Sequence, residues 1–206
     1  MEGLSLKNIR LDAYLAGKKK YSEQGEMLFT HNGVSGPLIL TVSALFARNL
    51  AEGEGLKLLI DLKPSLTTEV LEERLLKEFS AASNKEIKNV MRSLIPSSMI
   101  MPFLRLCSIS GEKKVNSVTA PERKKIVSVL KGFELNVTGA GGFNEAVVTK
   151  GGIKVNEIDP KTMESKLVKN VYFAGEIIDV DAFTGGFNLQ IAWSTGYAAG
   201  SALSGV

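Results

Sequence analysis

The sequence holds one cysteine, Cys107, and one histidine, His31, among its 206 residues. A single thiol closes no internal disulfide, which excludes a disulfide scaffold and points to a reducing compartment, the cytoplasm. One Cys and one His do not make a zinc site, so no metal centre is expected. Apolar runs stay well short of the ~20 residues that span a bilayer, and the opening MEGLSLKNIR has no apolar core of a secretory signal. Neither a membrane nor a signal peptide is therefore expected. No G-x-S-x-G elbow occurs, since Ser35 in Val34-Ser35-Gly36-Pro37 lacks the first glycine at the required offset. Basic residues vanish after Lys169.

What is present is a globular composition, 44% apolar and 23% charged, long enough for one or two domains. Charge is uneven. Residues 1–138 hold 20 Lys/Arg against 15 Asp/Glu, and residues 139–206 hold 5 against 7. The basic first part raises nucleic acid as a partner, yet Lys is scattered among Glu as on solvated helix faces and no recognition motif accompanies it. The expectation is therefore no nucleic acid. Eleven of the 20 glycines fall in the last 68 residues, and Gly-rich, cation-poor sequence suits close backbone approach to a ligand.

Three zones follow from periodicity. In the first, alternation over 8–15 places Ile9, Leu11, Ala13 and Leu15 on one strand face, 26–31 reads as a second strand, and Pro37 opens a helix running to Leu50. Residues 56–62, bounded by Gly55 and Pro64, read as a buried strand. The second zone, 65–131, is helical. Leu71, Leu75 and Phe79 recur at four-residue spacing, Ser83/Glu86 and Thr119/Glu122 have capping-box spacing, and 98–107 is a shorter helix containing Pro102. These stripes read as core. In the third zone 133–138, 145–149 and 170–174 read as strands and 188–204 as a helix. Ala192, Gly196 and Gly200 form a small-residue stripe on that helix, suited to a sheet packed closely against it.

Two segments are candidates for ligand chemistry. Gly139-Ala-Gly141-Gly142-Phe-Asn144 begins like a dinucleotide fingerprint, but Asn144 replaces the third glycine and a strand pattern follows, so it is not one. The stronger segment is Val171-Tyr-Phe-Ala-Gly175-Glu176-Ile-Ile-Asp179, continuing to Gly185-Gly186-Phe187-Asn188-Leu189. A strand ending in Gly175-Glu176 places a carboxylate where open α/β sheets bind ligands. The Gly-Gly loop then feeds a helix N-terminus, whose free N–H groups favour an anion or a polarised carbonyl. A flavin offers both ribityl hydroxyls and such a carbonyl edge. A plain turn with solvated Glu176 and Asp179 satisfies the same residues.

In the runs GLSLKN at 3–8, GEMLFTHNGVSGP at 25–37, FELNVTGAGGFNEAVVTKGGI at 133–153 and MESKLVKNVYFAGEIIDVDAFTGGFNLQIAWSTGYAAG at 163–200, the chain resembles the C-terminal half of the BaiN/aminoacetone oxidase-like bacterial FAD-dependent oxidoreductases. The resemblance implies an α+β molecule. A β-rich insert domain (1–64 with 131–147) carries a helical subdomain (65–130). Residues 148–206 are the C-terminal strand–helix segment of a split FAD/NAD(P)-binding α/β domain. It places Gly175, Glu176 and Asp179 by the ribityl and pyrophosphate of FAD, and the loop of Gly185 and Gly186 with Phe187, Asn188 and Leu189 by the isoalloxazine. Catalytic residues and the small-molecule substrate stay unassigned, and His31 is a candidate for the substrate side. The family's N-terminal G-x-G-x-x-G is absent here, so the chain reads as a fragment. It is expected to bind FAD weakly, to be inactive alone, and to self-associate through apolar surface left uncovered. The alternative is a non-catalytic interaction or cap module.

Overall fold

The computed structural model describes residues 1–205. The fold is α+β, with a five-stranded antiparallel sheet and six α-helices among the described residues. Two compact units divide it: residues 1–39 with 54–138, and 40–53 with 139 onward.

The first unit is built on strands β1 (Ser5–Leu15), β2 (Lys18–Phe29), β3 (Val34–Ser35), β4 (Leu56–Asp61) and β5 (Phe133–Val137), in the spatial order β3-β2-β1-β4-β5. Alternation in β1 buries Ile9, Leu11 and Ala13. Leu6 is buried too, although its parity with Ile9 is wrong for one face. A register shift between them, with Asn8 at φ 55°, turns both inward. Across the sheet Leu11 faces Ile60, and Ile60 faces Phe133. This cross-strand row is almost fully buried.

Helix α1 (Pro37–Ala51) starts on Pro37 as expected. The bend before it requires Gly36, whose φ is 96° and whose added Cβ would lie 3.1 Å from the Met27 backbone. Helix α2 (Thr68–Ala81) buries Leu71, Leu75 and Phe79, with Thr67 as its N-cap. Helix α5 (Ala120–Lys131) carries the full capping box: Thr119 Oγ1 accepts from the Glu122 amide, and Glu122 accepts from the Thr119 amide at 2.8 Å. The Ser83/Glu86 box does not form. Helix α3 (Ile87–Val90) is a single turn whose N-cap, Glu86, makes no side-chain cap. Instead Ser83 and Lys85 offer their carbonyls to Asn116 and Val115, and a strand-like pairing replaces the cap. Helix α4 (Ser97–Leu106) holds Pro102 in its interior and still buries Met99, Ile100, Phe103 and Leu104. Buried Asp61 accepts from Lys131 at 2.6 Å, Arg10 at 3.3 Å and the Lys63 amide at 2.9 Å, so β4 is tied to β1 and α5.

The second unit has little regular structure apart from α1 and helix α6 (Phe187–Ser204). Two expected strands are absent. Phe143–Glu145 form a 3-10 turn, and 146–149 enter no strand pairing among the described residues; residues 170–174 make one isolated bridge, Tyr172 to Glu164. Their β-branched and aromatic residues suit a pleated surface, but no ladder of neighbouring strands receives them. Val42, Phe46 and Leu50 are buried on the α1 part of this unit, and a separate small cluster of Ile158, Met163, Ile178 and Ala199 has Ile153, Tyr172 and Phe173 packed on it.

Candidate functional site

The segment picked out by the sequence wraps α6. Gly175 does not end a buried strand: it opens a 3-10 turn, Gly175–Ile177, with φ 74°. Its amide donates to Thr195 Oγ1 at 2.9 Å. A Cβ on it would lie 3.7 Å from that of Ala192. Thr195 in turn donates to the Ile191 carbonyl. The turn is therefore anchored on the middle of α6. Glu176 is exposed and Asp179 half-buried, and neither carboxylate has a hydrogen-bond or ion-pair partner among the described residues. Both are free to accept hydroxyl donors.

The loop that enters α6 is held from the other side. Asn188 accepts from the Ala182 amide at 2.7 Å and donates to the Ala182 carbonyl at 2.8 Å, a two-point clamp. Gly185 and Gly186 lie at φ 124° and 87°, and Gly186 caps the helix without a side-chain bond. The first hydrogen bond of the helix runs from the Gln190 amide to the Gly186 carbonyl. The amides of Phe187, Asn188 and Leu189 thus precede the helical ladder, and they give this end its partial positive charge. Phe187 and Leu189 are exposed. Upstream, Lys150 donates to the Ala44 carbonyl at 2.9 Å and pairs with Asp181 at 3.5 Å, which fixes the loop's start.

The Gly151-Gly152 pair carries little signal by itself. Yet Ile153 and Ile177–Asp179 exchange backbone hydrogen bonds at 2.8 and 2.9 Å, and a Cβ on Gly152 would collide with the Ile177 carbonyl. Gly152 therefore sets how closely the strand-like piece at Ile153 approaches the Gly175–Asp179 turn. The small-residue stripe also differs from expectation. Gly196 and Gly200 face open space, and no sheet lies against them.

Other candidates are distant in chemistry. His31 is exposed in the bend after β2, with Nδ1 3.1 Å from Glu2. Cys107 is buried, and burial pushes its thiol up to about 11, which removes it as a nucleophile near neutral pH. No helix among the described residues is long and apolar enough to cross a membrane.

Comparison with known proteins bears on the whole chain. Residues 1–148 match the family described as "HI0933-like protein barrel and H2TH domain". A protein of Clostridium scindens named 3-dehydro-bile acid delta(4,6)-reductase is 29% identical over 94% of this chain and 48% of its own length. Two proteins named ribosomal RNA dihydrouridine synthase are each 31% identical. The one from Haemophilus influenzae aligns over 92% of this chain and 44% of its own length, and the one from Escherichia coli over 84% and 40%. The chain thus spans about half the length of the curated relatives it matches, and the resemblance to the BaiN type is upheld. With its sheet and helical zone inside the matched region, the chain belongs to the HI0933-like family, an oxidoreductase-type flavoprotein family.

Proposed function

We propose that this chain supplies the C-terminal flavin contacts and the substrate-side unit of an FAD-dependent oxidoreductase. The observation that carries the reading is the loop Gly185–Gly186. It ends in a helix N-terminus with free amides, is clamped by Asn188, and sits in a chain that aligns with a named reductase over 94% of its length. The residues fit the group. Amides at the α6 N-terminus suit a carbonyl edge that gains negative charge, and the unpartnered Glu176 and Asp179 carboxylates suit ribityl hydroxyls. When bound, the flavin would supply the electron transfer. The chain's own part is to orient it through Gly186, Phe187, Asn188 and Leu189, and to hold the Gly175–Asp179 turn in place through Thr195 and Gly152.

The G-x-G-x-x-G turn that wraps a pyrophosphate is not in this sequence, so the chain alone binds FAD weakly and does not turn over. The relatives' names bring two substrate chemistries, a steroid and an RNA.

Two preparations test the reading. Titration of the chain alone with FAD is expected to give no tight binding; sub-micromolar affinity would overturn the inactive-fragment part. Joining the uncovered half of the H. influenzae relative to this chain is expected to give a yellow protein, and Gly186→Val is expected to bleach it. Colour that survives Gly186→Val, with the fold intact by circular dichroism, removes the α6 loop from the flavin site.

A further inference from the structure

The connection between β2 and β3 is residues 30–33, and it holds the chain's only Asn-Gly pair, Asn32-Gly33. The backbone nitrogen that follows an asparagine can attack the side-chain carboxamide. Glycine hinders that approach least, because it has no Cβ. A folded chain permits the attack under two conditions. The attacking amide must be free of hydrogen bonds, and the carboxamide must be free to turn onto it.

Both conditions are met at Asn32. Residues 30–33 are exposed. Among the described residues the Gly33 amide donates no hydrogen bond and the Asn32 carboxamide makes none. One bond closes the bend, from the Thr30 amide to the Gly33 carbonyl at 2.9 Å. Asn116-Ser117 is the contrast within the same molecule, again an asparagine before a small residue. There the Ser117 amide donates to the Lys114 carbonyl at 3.0 Å. The Asn116 side chain donates to Asn84 at 3.3 Å and accepts from Ser117 Oγ at 3.1 Å. That carboxamide is held and its nucleophile is occupied.

We propose that Asn32-Gly33 is a site of spontaneous deamidation whose isoaspartyl product uncouples β3 from β2. The Gly33 nitrogen gives up its proton and bonds to the Asn32 Cγ. The bond from Cγ to the amide nitrogen breaks, and ammonia leaves with that proton. Water then opens the cyclic imide at either carbonyl. The chain loses one ammonia and gains one water, and nothing is oxidised or reduced. Opening at the backbone carbonyl routes the main chain through Cγ, which lengthens the connection by one methylene and leaves a new carboxylate beside the Glu2–His31 pair. Strand β3 has no slack to absorb the extra length. It is Val34 and Ser35 alone, paired to Phe29 and Leu28, and a slip of one residue would exchange the faces of both. Just beyond it Gly36 lies against the Met27 backbone at φ 96°. No part of the proposal needs a flavin.

The test incubates the full native chain for several days in mildly alkaline buffer. Tryptic peptides are read by electron-transfer fragmentation, which separates aspartate from isoaspartate. Peptide 21–48 has Asn32 as its only asparagine, and peptide 115–123 has Asn116. Asn32 is expected to convert at least about tenfold faster than Asn116, with isoaspartate among the products. Unfolding in guanidinium chloride should speed Asn116 and leave Asn32 near its native rate, since the fold restrains only the former. A Cβ at Gly33 meets open space and the residue has no left-handed φ, so Gly33→Ala is expected to fold as the parent does. It should slow conversion of Asn32 about tenfold. Unreacted Asn32 in the native chain, aspartate without isoaspartate, or a parental rate in Gly33→Ala each overturn the site. The uncoupling is read from amide exchange at Thr30 in the aged chain and in Asn32→Asp, which carries the charge without the added methylene. Exchange is expected to accelerate in the aged chain alone, and equal exchange in the two overturns the uncoupling.

Discussion

In the first unit the row Leu11, Ile60 and Phe133 is almost fully buried, and α4 and α5 add Phe103, Leu104, Ile126 and Leu130 with almost no exposure. In the second unit α1 buries Val42, Phe46 and Leu50 and the cluster under α6 adds four residues, while α6 turns Leu189, Trp193, Tyr197 and Leu203 to solvent at 55, 62, 79 and 66% exposure. At 100° per residue these four lie on one side of the helix together with Gly196 and Gly200. The face toward the cluster carries Thr195, Ala198 and Ala199. Both units are built from ordinary apolar sequence. Burial comes from having a second layer to pack against, and hydrophobic content alone does not supply it.

The largest expected effect therefore lies in the first unit. Phe103→Ala deletes a fully buried ring and is expected to cost about 3–5 kcal/mol in chemical denaturation followed by far-UV circular dichroism. A loss below about 1 kcal/mol would mean that α4 is not packed as the fold has it. Next comes Gly152→Ala, which combines a φ of 143° with a collision against the Ile177 carbonyl. The expected cost is about 1–3 kcal/mol, confined to the second unit. Amide exchange should accelerate at Ile153 and Asp179 and stay unchanged at Leu11 and Ile60. Equal acceleration in both units would erase the distinction between them.

Which parts of this were legible without coordinates follows the same division. Ile9, Leu11 and Ala13 in β1, Leu71, Leu75 and Phe79 in α2, and the Thr119/Glu122 cap could be read from spacing, because each is decided by local geometry and one buried face. The same box spacing at Ser83/Glu86 failed because residues 83–88 found a partner at 111–116, a non-local pairing that no local spacing encodes. The strands expected at 145–149 and 170–174 failed for the converse reason: their residues suit a sheet, and among the described residues no strand ladder includes them, 170–174 making only an isolated bridge to Glu164. At the candidate site the Gly185–Gly186 turn and the start of α6 were legible from glycine chemistry. Thr195 under Gly175, the Asn188 clamp on Ala182 and the close approach at Gly152 were not, since each depends on a contact across the chain.

A smaller effect is expected at the α5 cap. Thr119→Ala removes the acceptor for the Glu122 amide and is expected to cost about 1 kcal/mol. Glu122 adds a pH dependence. Hydrogen bonds from Lys113 and the Thr119 amide hold its carboxyl below the ordinary range. A depressed folded value gives stability that is present above the unfolded carboxylate value, about 4.3, and is lost as pH falls through the folded one. The stability gap between the parent chain and Glu122→Gln should therefore be constant from neutral pH down to about 5 and close below about 4. A gap that instead widens in acid would reverse the assigned sign.

The smallest expected change in stability is also the one that tests the contrast most directly. Trp193 is the chain's only tryptophan, and it sits on the uncovered side of α6. In dilute solution its fluorescence should be that of a hydrated indole, and Trp193→Ala should alter stability by no more than about 0.5 kcal/mol, as for a surface position. Apolar surface of this kind favours self-association. With rising concentration the emission should shift to the blue, and sedimentation velocity should show larger species that Trp193→Lys/Tyr197→Lys abolishes. A blue emission that does not change on dilution, together with a large cost for Trp193→Ala, would mean that this side of α6 is covered within a single chain. The second unit would then be as closed as the first, and the contrast between them would fail.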